Sequence, residues 1–406
     1  MVQASHPERK LPNNPIFKSY RIAYLTVMRM PTEMASGLQI MKTCSALQSS
    51  GIEVTLFNGT RFQTNPEMRR IDPFEYYDIR TTFQIRNVWF LDTQAVAKYL
   101  GPLLRPTRIV SNLLFPLTAR LAMRKWRPSA VYTRQWLAAR HLVSRNIPTI
   151  FEMHEADTPH FSKRAVTVVA KLTHSPALRS VVTISNGLKE TLVESGAIAN
   201  KVHVMPDAVD LANYATSVDS QTLRNQLGIA AGAFAAIYTG GAAPGKGVET
   251  IVEAAPLMPD VQFYIVGGQS HDLERITANT KPPSNLTFIP KVSPSVAARY
   301  QQASDVLLLP QISDQSQSPL KLYEYIAAGR PIVSTDIPPI REVLTHSRTA
   351  LLAAPGSSEA FARQIKTIQE NPELGNELTS AASSQLGDWS WERRGEKIAE
   401  LIRAVV

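Results

Sequence analysis

The sequence has little cysteine, because Cys44 is the only one among 406 residues. A single thiol excludes an internal disulfide, a zinc site built from cysteines and an iron–sulfur cluster, and it is typical of a reducing compartment. Cys44 lies inside an apolar-periodic segment. We therefore interpret it as a small core residue rather than a nucleophile.

Long hydrophobic runs are also missing. No apolar run approaches the roughly 18–20 residues needed to span a bilayer. Residues 1–18 mix Pro, Asn, His and charged residues, without the apolar core of a signal peptide. We interpret them as a disordered leader and predict a cytoplasmic protein.

Acidic residues are absent between Asp92 and Glu152, in a chain whose net charge is +9. Residues 93–151 instead carry large apolar residues and ten basic ones: Lys98, Arg105, Arg108, Arg120, Arg124, Lys125, Arg127, Arg134, Arg140 and Arg145. Such a segment suits docking on an anionic membrane surface at the inner face of the membrane. It equally suits a solvated basic face on core helices. We see no nucleic-acid-binding motif, so we expect no nucleic-acid partner.

What the chain does contain is a recurring short apolar run followed by a helical pattern. Arg21–Thr26 reads as a strand, Gly37–Ser50 as a helix and Glu53–Phe57 as a second strand. The pattern restarts at Ala235–Thr239. Strands that alternate with helices imply a parallel sheet covered on both faces. We therefore predict an α/β protein with two Rossmann-like doubly wound domains that face each other across a cleft.

A Pro-Asp-Ala-Val-Asp turn and a polar stretch mark the junction between the two halves. We place the first domain at residues 19–206, the second at 207–388 and a closing helix at 389–406. In open sheets of this kind, ligands lie beyond the carboxyl ends of the strands. A site between the halves is therefore expected.

The first candidate site is the glycine-rich loop Tyr238–Gly247, which follows an apolar strand and opens a helix. Glycines let a backbone approach a ligand closely, and a helix N-terminus favours phosphate. Lys246 adds a positive charge. The spacing matches neither the Walker A pattern nor the dinucleotide fingerprint, so taken alone the loop is more typical of a structural turn.

The second candidate site is the helical segment that contains Lys321 and Glu324, which are three residues apart and share one helix face. Taken alone, this pair is typical of a surface ion pair. The helix, however, begins soon after the apolar run Val306–Leu309, at the mouth of the predicted cleft. There, Glu324 can accept both hydroxyls of a ribose and Lys321 can offset the charge of a diphosphate.

Together these segments resemble the family 4 glycosyltransferases, which have the GT-B fold. The loop that ends in Lys246-Gly247 is similar to the family's glycine-rich loop. The run Glu324-Tyr-Ile-Ala-Ala-Gly-Arg-Pro-Ile-Val333 is similar to its Glu-x-x-Ala-x-Gly-x-Pro-Val-Val signature. The ending Trp389-Ser-Trp-Glu-Arg393 is similar to its C-terminal helix, which packs back on the first domain. The resemblance covers nearly the whole chain from residue 20.

The resemblance implies a nucleotide-sugar site in the second domain. By it, Lys246 holds the donor diphosphate and Glu324 binds the ribose. The backbone amides near Pro319, Leu320 and Lys321 lie over the diphosphate. The preceding half becomes the acceptor side.

Two residues of the first domain also match the family by resemblance. His154 looks like the histidine that faces the donor sugar, which makes His154, Lys246 and Lys321 the expected catalytic residues. Gly37 looks like the glycine of the loop near the acceptor and the phosphates. Without the family pattern, His154 fits a satisfied, partly buried imidazole, and Gly37 fits an ordinary glycine at a helix start.

The chain departs from the family at two positions. Gly241 stands where the family usually has an arginine of the donor site, and Ser316 stands where it has a second glutamate. Lys321 can replace the missing cation, and Asp314 or the hydroxyls of Ser316 and Ser318 can contact the sugar. A subgroup with a Ser-Pro-Leu-Lys signature has this pattern.

The resemblance implies a retaining transfer of a sugar to a hydroxyl acceptor, lipid-linked or polysaccharide, in cell-envelope or exopolysaccharide synthesis. We expect no cofactor and no metal, because the sequence has no Asp-x-Asp pair suited to hold one. Two alternatives stay open. One is a nucleotide-sugar epimerase or hydrolase on the same fold, and the other is a non-catalytic nucleotide-sugar-binding relative.

Overall fold

The structure is a computed structural model. It describes residues 20–32, 34–63, 65–93, 101, 104–156, 161–215, 218–268, 270–277, 282–312 and 320–406. The predicted leader, residues 1–18, lies outside the described residues. None of the helices formed by the described residues is both long enough and apolar enough to cross a membrane.

The first domain is built on a parallel sheet of seven strands with the order β3-β2-β1-β4-β5-β6-β7. The strands are β1 Arg21–Thr26, β2 Glu53–Gly59, β3 Gln84–Val88, β4 Ala130–Thr133, β5 Thr149–Met153, β6 Leu178–Thr183 and β7 Val202–Val204. The direction of strand order reverses between β1 and β4, which are hydrogen-bonded neighbours. Such a switch point opens a crevice at the carboxyl ends of the two strands.

The second domain repeats this topology in a parallel sheet of six strands with the order β10-β9-β8-β11-β12-β13. The strands are β8 Phe234–Thr239, β9 Val261–Val266, β10 Leu286–Ile289, β11 Val306–Leu309, β12 Ile332–Thr335 and β13 Leu351–Ala353. The switch point lies between β8 and β11. The predicted pair of Rossmann-like domains is confirmed.

Helices cover both sheets on both faces. They are α1 Ala35–Ser49, α2 Pro73–Tyr76, α3 Leu104–Met123, α4 Trp136–Val143, α5 Lys163–Leu172, α6 Asn186–Glu194, α7 Ser220–Leu227, α8 Val248–Ala254, α9 Ser270–Thr277, α10 Pro294–Ala303, α11 Leu320–Ala328, α12 Pro338–Arg341, α13 Ser358–Glu370, α14 Pro372–Ser383 and α15 Trp391–Val405. Because successive side chains of a strand point to opposite faces, β8 sends Ala236 and Tyr238 into one core and Ala235 and Ile237 into the other.

Two elements differ from the sequence reading. Strand β3 was not predicted, because it is an edge strand whose residues Gln84, Arg86 and Asn87 are exposed and leave no apolar run. The sequence pattern over residues 360–380 predicts one helical stretch, and the structure has two helices there. Asn371 separates them, since the following Pro372 disfavours the helical conformation in the residue before it.

The last helix, α15, returns to the first domain and packs on α1. Gly395 allows the close approach, because a Cβ atom added there would lie 2.5 Å from the Cβ of Ala46. Ile398 and Ile402 enter the core of the first domain. The chain therefore crosses between the domains twice, and the two crossings pair where the Val209 amide donates to the Trp389 carbonyl at 2.8 Å.

Further contacts join the domains beside these crossings. Lys42 of α1 forms an ion pair of 2.5 Å with Asp210 of the linker. On the other side, the Glu342 carboxylate accepts hydrogen bonds from the backbone amides of Asn186 (2.7 Å) and Gly187 (2.9 Å) at the start of α6. A carboxylate at a helix N-terminus is favourable because it satisfies free amides and meets the positive end of the helix dipole.

Candidate functional site

The glycine-rich loop lies at the switch point of the second sheet. It leaves the carboxyl end of β8 and packs on the carboxyl end of β11, where the Ile312 amide donates to the Gly245 carbonyl at 3.1 Å. Gly247 has a φ of +71°, and a Cβ atom there would lie 1.8 Å from the Pro310 carbonyl oxygen. Only glycine meets both conditions, so this part of the loop is fixed tightly against β11.

Lys246 stands in this loop with its side chain half-buried. It has no acidic partner among the described residues. Burial, followed by the ammonium group of Lys321, lowers the pKa of Lys246. A buried lysine whose proton affinity is lowered by a neighbouring ammonium group forms a site that gains from a bound anion.

Lys321 and Glu324 form the ion pair that their spacing suggests, with 2.6 Å between Nζ and Oε2. The pair is not a fully exposed one, because the side chains are only 30% and 17% exposed. Glu324 neutralises Lys321 in this arrangement. Among the residues that the structure describes, Lys246 therefore provides the positive charge that no acidic side chain compensates.

Buried polar groups hold the Glu324 carboxylate from the other side. The Gln301 side-chain amide, on α10, donates to Glu324 Oε2 at 3.1 Å and to the Thr239 hydroxyl at 2.7 Å. Its carbonyl oxygen accepts a hydrogen bond of 2.6 Å from the Tyr214 hydroxyl. Glu324 is thus part of a fixed network at the end of β8.

His154 follows β5 of the first domain and is largely buried. Its Nε2 lies 2.7 Å from Glu152 Oε1, and the same oxygen accepts a bond of 2.6 Å from Arg394 Nη2 of α15. Burial and the charge of Arg134 lower the pKa of His154, although Glu152 opposes them. The imidazole is therefore neutral near pH 7, and one of its nitrogens is occupied by Glu152.

The Glu152 carboxylate is buried among charges. Burial alone would raise its pKa, but Arg394 and His154 outweigh burial and hold the pKa well below its usual range. Arg394 also donates to the Pro206 carbonyl at 2.9 Å and to the Thr43 hydroxyl at 3.1 Å. The last helix therefore fixes the residue that orients His154.

Arg134 also belongs to this interior cluster. It follows β4, is half-buried, and donates to the Gln39 side-chain carbonyl at 3.0 Å. The amide of Gln39 in turn donates to the buried Asp207 at 2.7 Å. Arg134 therefore lies at the switch point of the first sheet and is not one of the exposed basic side chains of residues 93–151.

Gly37 is buried in the first turn of α1. A Cβ atom there would lie 2.2 Å from the Tyr77 hydroxyl oxygen and 2.5 Å from a methyl carbon of Thr32. The Tyr77 hydroxyl closes the preceding loop, since it bonds both the amide and the carbonyl of Thr32 at 2.7 Å. The packing therefore explains why position 37 is a glycine, without any contact to a ligand.

We expect Gly37→Ala to destabilise the protein by about 1–3 kcal/mol, because the added methyl must displace Tyr77 from both hydrogen bonds. Thermal unfolding measures this. The matched control is Gly387→Ala, where the new Cβ meets nothing within 4 Å. An unchanged melting temperature together with lost activity would instead favour a ligand-contacting role for Gly37.

The remaining predicted positions are placed as follows. Leu320 begins α11. Gly241 is exposed, and a Cβ atom added there meets nothing within 4 Å. Pro319 lies outside the described residues, as do Asp314, Ser316 and Ser318. Within the part of the chain that the structure describes, no three His, Cys, Asp or Glu side chains form a group that could hold a metal ion.

Comparison with known families divides the chain as the two sheets do. Residues 37–213 match the model described as Glycosyltransferase Family 4. Residues 219–385 match the model described as Glycosyl transferases group 1. The chain is a GT-B glycosyltransferase.

Individual relatives match nearly the whole chain. The D-inositol 3-phosphate glycosyltransferase of Pseudarthrobacter chlorophenolicus is 21% identical over 95% of this chain and 96% of its own. Anabaena Alr3699/HepE, crystallised with UDP, superposes with a TM-score of 0.74 at 17% identity over 95% of this chain and all of that one. Sucrose-phosphate synthase of Thermosynechococcus elongatus gives 0.75 at 17% identity over 95% and 98%.

Several residues of this glycosyltransferase site were not found from the sequence. Glu152 offered a signal, because a carboxylate inside the buried strand Thr149–Met153 needs a partner. Arg394 offered no signal that identifies Glu152 as its partner, since the two residues are 242 positions apart in the sequence. Gln301 and Tyr214 are ordinary residues of a helix and a linker, and only the fold brings them to Glu324.

Proposed function

We propose that this glycosyltransferase transfers a sugar from a nucleotide diphosphate donor with retention of configuration. In this proposal Lys246, Lys321 and the amides near Pro319 and Leu320 hold the diphosphate, and Glu324 binds the ribose. The observation that supports it best is the half-buried Lys246, uncompensated among the described residues, beside the Lys321–Glu324 pair at the switch point of the second sheet. Alr3699/HepE, of the same fold, binds UDP and UDP-glucose.

The proposed catalytic effect is electrostatic. Negative charge grows on the diphosphate as the glycosidic bond breaks, and fixed ammonium and amide groups stabilise that charge. The acceptor hydroxyl attacks from the face that the diphosphate leaves and passes its proton to the departing phosphate oxygen. His154 faces the donor sugar as a neutral imidazole. We expect this transfer to need no bound metal.

A donor screen tests the proposed function. The protein is incubated with UDP- and GDP-sugars, with and without membrane or polysaccharide acceptor fractions, and the released nucleoside diphosphate is measured. We expect release that depends on the acceptor. Rapid conversion of the donor alone favours the epimerase or hydrolase, and nucleotide binding without turnover favours the non-catalytic relative.

The acceptor side presents an apolar surface, which we call the apolar face. It consists of Val110, Leu113, Leu117 and Leu121 on one side of α3 together with Trp89 and Leu91. These side chains are 40–68% exposed. The opposite side of α3, with Phe115 and Met123, is buried in the core. A group of six exposed apolar side chains on one surface marks an interaction surface.

Hydrogen bonds join the apolar face to the loops at the carboxyl ends of β1 and β2. The Thr118 hydroxyl of α3 donates to the Trp89 carbonyl at 2.9 Å. The Phe62 amide donates to Asp92 at 2.8 Å, and the Gln63 side chain donates to the Pro31 carbonyl at 2.8 Å. The surface thus extends toward the acceptor side of the cleft, which supports an acceptor with an apolar, lipid-linked portion.

Basic side chains border the apolar face. Arg120, Arg124, Lys125 and Arg127 are exposed at the end of α3, and Arg140 and Arg145 are exposed on and after α4. A basic and apolar surface fits a membrane that contains anionic lipid. We therefore propose that the protein works as a peripheral protein at the cytoplasmic membrane face, on a lipid-linked or growing polysaccharide acceptor.

We expect the protein to bind vesicles that contain anionic phosphatidylglycerol at low salt and to leave them at high salt, because salt screens the basic residues. Replacing Leu117 and Leu121 by serine, or Arg120 and Arg124 by glutamate, weakens binding at least severalfold, since each removes one of the two attractions. Vesicle sedimentation measures this. The matched control is Arg363→Glu, an exposed arginine of the second domain.

Two results would contradict the docking proposal. One is equal binding to neutral phosphatidylcholine vesicles. The other is equal loss of binding in the Arg363 control.

A further inference from the structure

The two oxygens of the Glu324 carboxylate differ in their hydrogen-bond partners. Its Oε2 accepts from Lys321 at 2.6 Å and from the Gln301 amide at 3.1 Å. Its Oε1 has no hydrogen-bond partner among the described residues. Since a carboxylate oxygen accepts about two hydrogen bonds, Oε2 is saturated and Oε1 is the atom left to accept from a ligand.

Gln301 differs from Lys321 in how firmly it is held. Its side chain is fully buried. The amide nitrogen donates to both Glu324 and the Thr239 hydroxyl, and the carbonyl oxygen accepts from Tyr214. Both ends of the amide are therefore occupied, which fixes its orientation. The Lys321 side chain, by contrast, is 30% exposed, and its ammonium group lies at the end of a flexible carbon chain.

Tyr214 anchors this network to the linker between the domains. Burial and the nearby Glu324 carboxylate raise the pKa of the Tyr214 hydroxyl well above its usual value, so the hydroxyl stays protonated and acts as donor. The Tyr214 carbonyl also accepts from the Gln302 side chain at 3.1 Å. Two neighbouring residues of α10 thus hold Tyr214.

We infer that Gln301, oriented by Tyr214, is a positioning residue that fixes the Glu324 carboxylate so that Oε1 faces the ribose hydroxyls of the donor nucleotide. The inference rests on the proposed role of Glu324. When a diphosphate draws Lys321 away from Glu324, Gln301 keeps the carboxylate in place. Preorganisation of this kind lowers the ordering cost of binding.

The test is calorimetric titration with UDP or GDP, whichever the wild-type protein binds more tightly, and with the 2′,3′-dideoxy analogue of the same nucleotide. We expect Gln301→Met to raise the Kd of the ribonucleotide about tenfold, the scale for a hydrogen bond to a charged group. The Kd of the dideoxy analogue changes by less than about twofold, because it lacks the hydroxyls that Oε1 contacts. The milder variant Tyr214→Phe raises the ribonucleotide Kd about threefold.

The controls separate positioning from general weakening. Tyr300→Phe removes a phenolic hydroxyl from the same helix as Gln301. Because that hydroxyl has no hydrogen-bond partner among the described residues, both Kd values stay unchanged. In a Glu324→Ala background, Gln301→Met adds no further loss, because the two residues act through one contact. Melting temperatures of all variants report whether they fold.

Each remaining outcome overturns a defined statement. Equal weakening of both nucleotides by Gln301→Met would show loss of structure and overturn the positioning role. Unchanged Kd values in Gln301→Met and Tyr214→Phe, with strong weakening in Glu324→Ala, would overturn this inference and leave the proposed function intact. Unchanged binding in Glu324→Ala would overturn the assignment of Glu324 itself.

Discussion

Replacing Lys246 by alanine is expected to lower the rate of sugar transfer at least about a hundredfold while leaving the fold intact. The reason is that Lys246 supplies the positive charge of the proposed diphosphate site that no acidic side chain of the described residues compensates. Loss of one preorganised donor to a developing oxyanion typically has an effect of this size. Initial rates of nucleoside diphosphate release measure it. Thermal unfolding checks the fold.

The matched control is Lys366→Ala, which removes an exposed lysine of α13 in the same domain. It should leave the rate unchanged. Lys321→Ala should have a smaller effect than Lys246→Ala, because Glu324 already neutralises Lys321. Activity of the Lys246 variant within a few-fold of wild type would remove the donor-site assignment.

The affinity for the donor should also depend on pH, through the charge of Lys246. Burial and Lys321 lower the pKa of Lys246, so its charge is lost at a lower pH than that of an ordinary lysine. Donor affinity is therefore full below this pKa and falls as the pH rises through it. The dependence disappears in Lys246→Ala, which separates it from the titration of other groups.

Replacing Arg394 by methionine is expected to destabilise the protein by about 3–5 kcal/mol, since it leaves the buried Glu152 carboxylate without its main partner. Arg394 and Glu152 are 4% and 2% exposed, so water cannot replace the lost contact. Chemical denaturation measures the change in the free energy of unfolding.

The pH dependence of this loss has a definite sign. In the wild type, Glu152 has a lowered pKa and contributes stability at neutral pH that is lost as the pH falls. In Arg394→Met, burial dominates and Glu152 takes up a proton more readily. The destabilisation should therefore be largest near neutral pH and shrink in acid.

The matched control lies one residue away. Arg393→Met removes an exposed arginine whose partners Glu396 and Asp388 are also exposed. Because water screens these surface pairs, the free energy of unfolding should hardly change. Equal destabilisation by the two substitutions would contradict the central role of Arg394.

The sequence predicts the fold well where periodicity and composition agree. The strand predicted at Arg21–Thr26 and the apolar run Val306–Leu309 have the same limits as strands β1 and β11 of the structure, because buried parallel strands read as short apolar runs. The edge strand Gln84–Val88 has no such run, so pattern alone does not reveal it.

The site is predictable only in part, for a physical reason. Lys246 and Glu324 follow strands that meet at one switch point, and strand order brings them to the same edge. The groups that hold them in place come from elsewhere: Gln301 from a helix, Tyr214 from a linker and Arg394 from the last helix. Their contacts depend on tertiary packing over long separations, which a local pattern does not encode.

We expect a nucleoside diphosphate to lie between Lys246 and Glu324. A crystal structure of the protein with UDP or GDP shows whether it does. We expect phosphate oxygens within hydrogen-bond reach of Lys246 Nζ and a ribose hydroxyl on Glu324 Oε1. A nucleotide bound elsewhere, or side chains filling the space between these two residues, would contradict the proposed donor site.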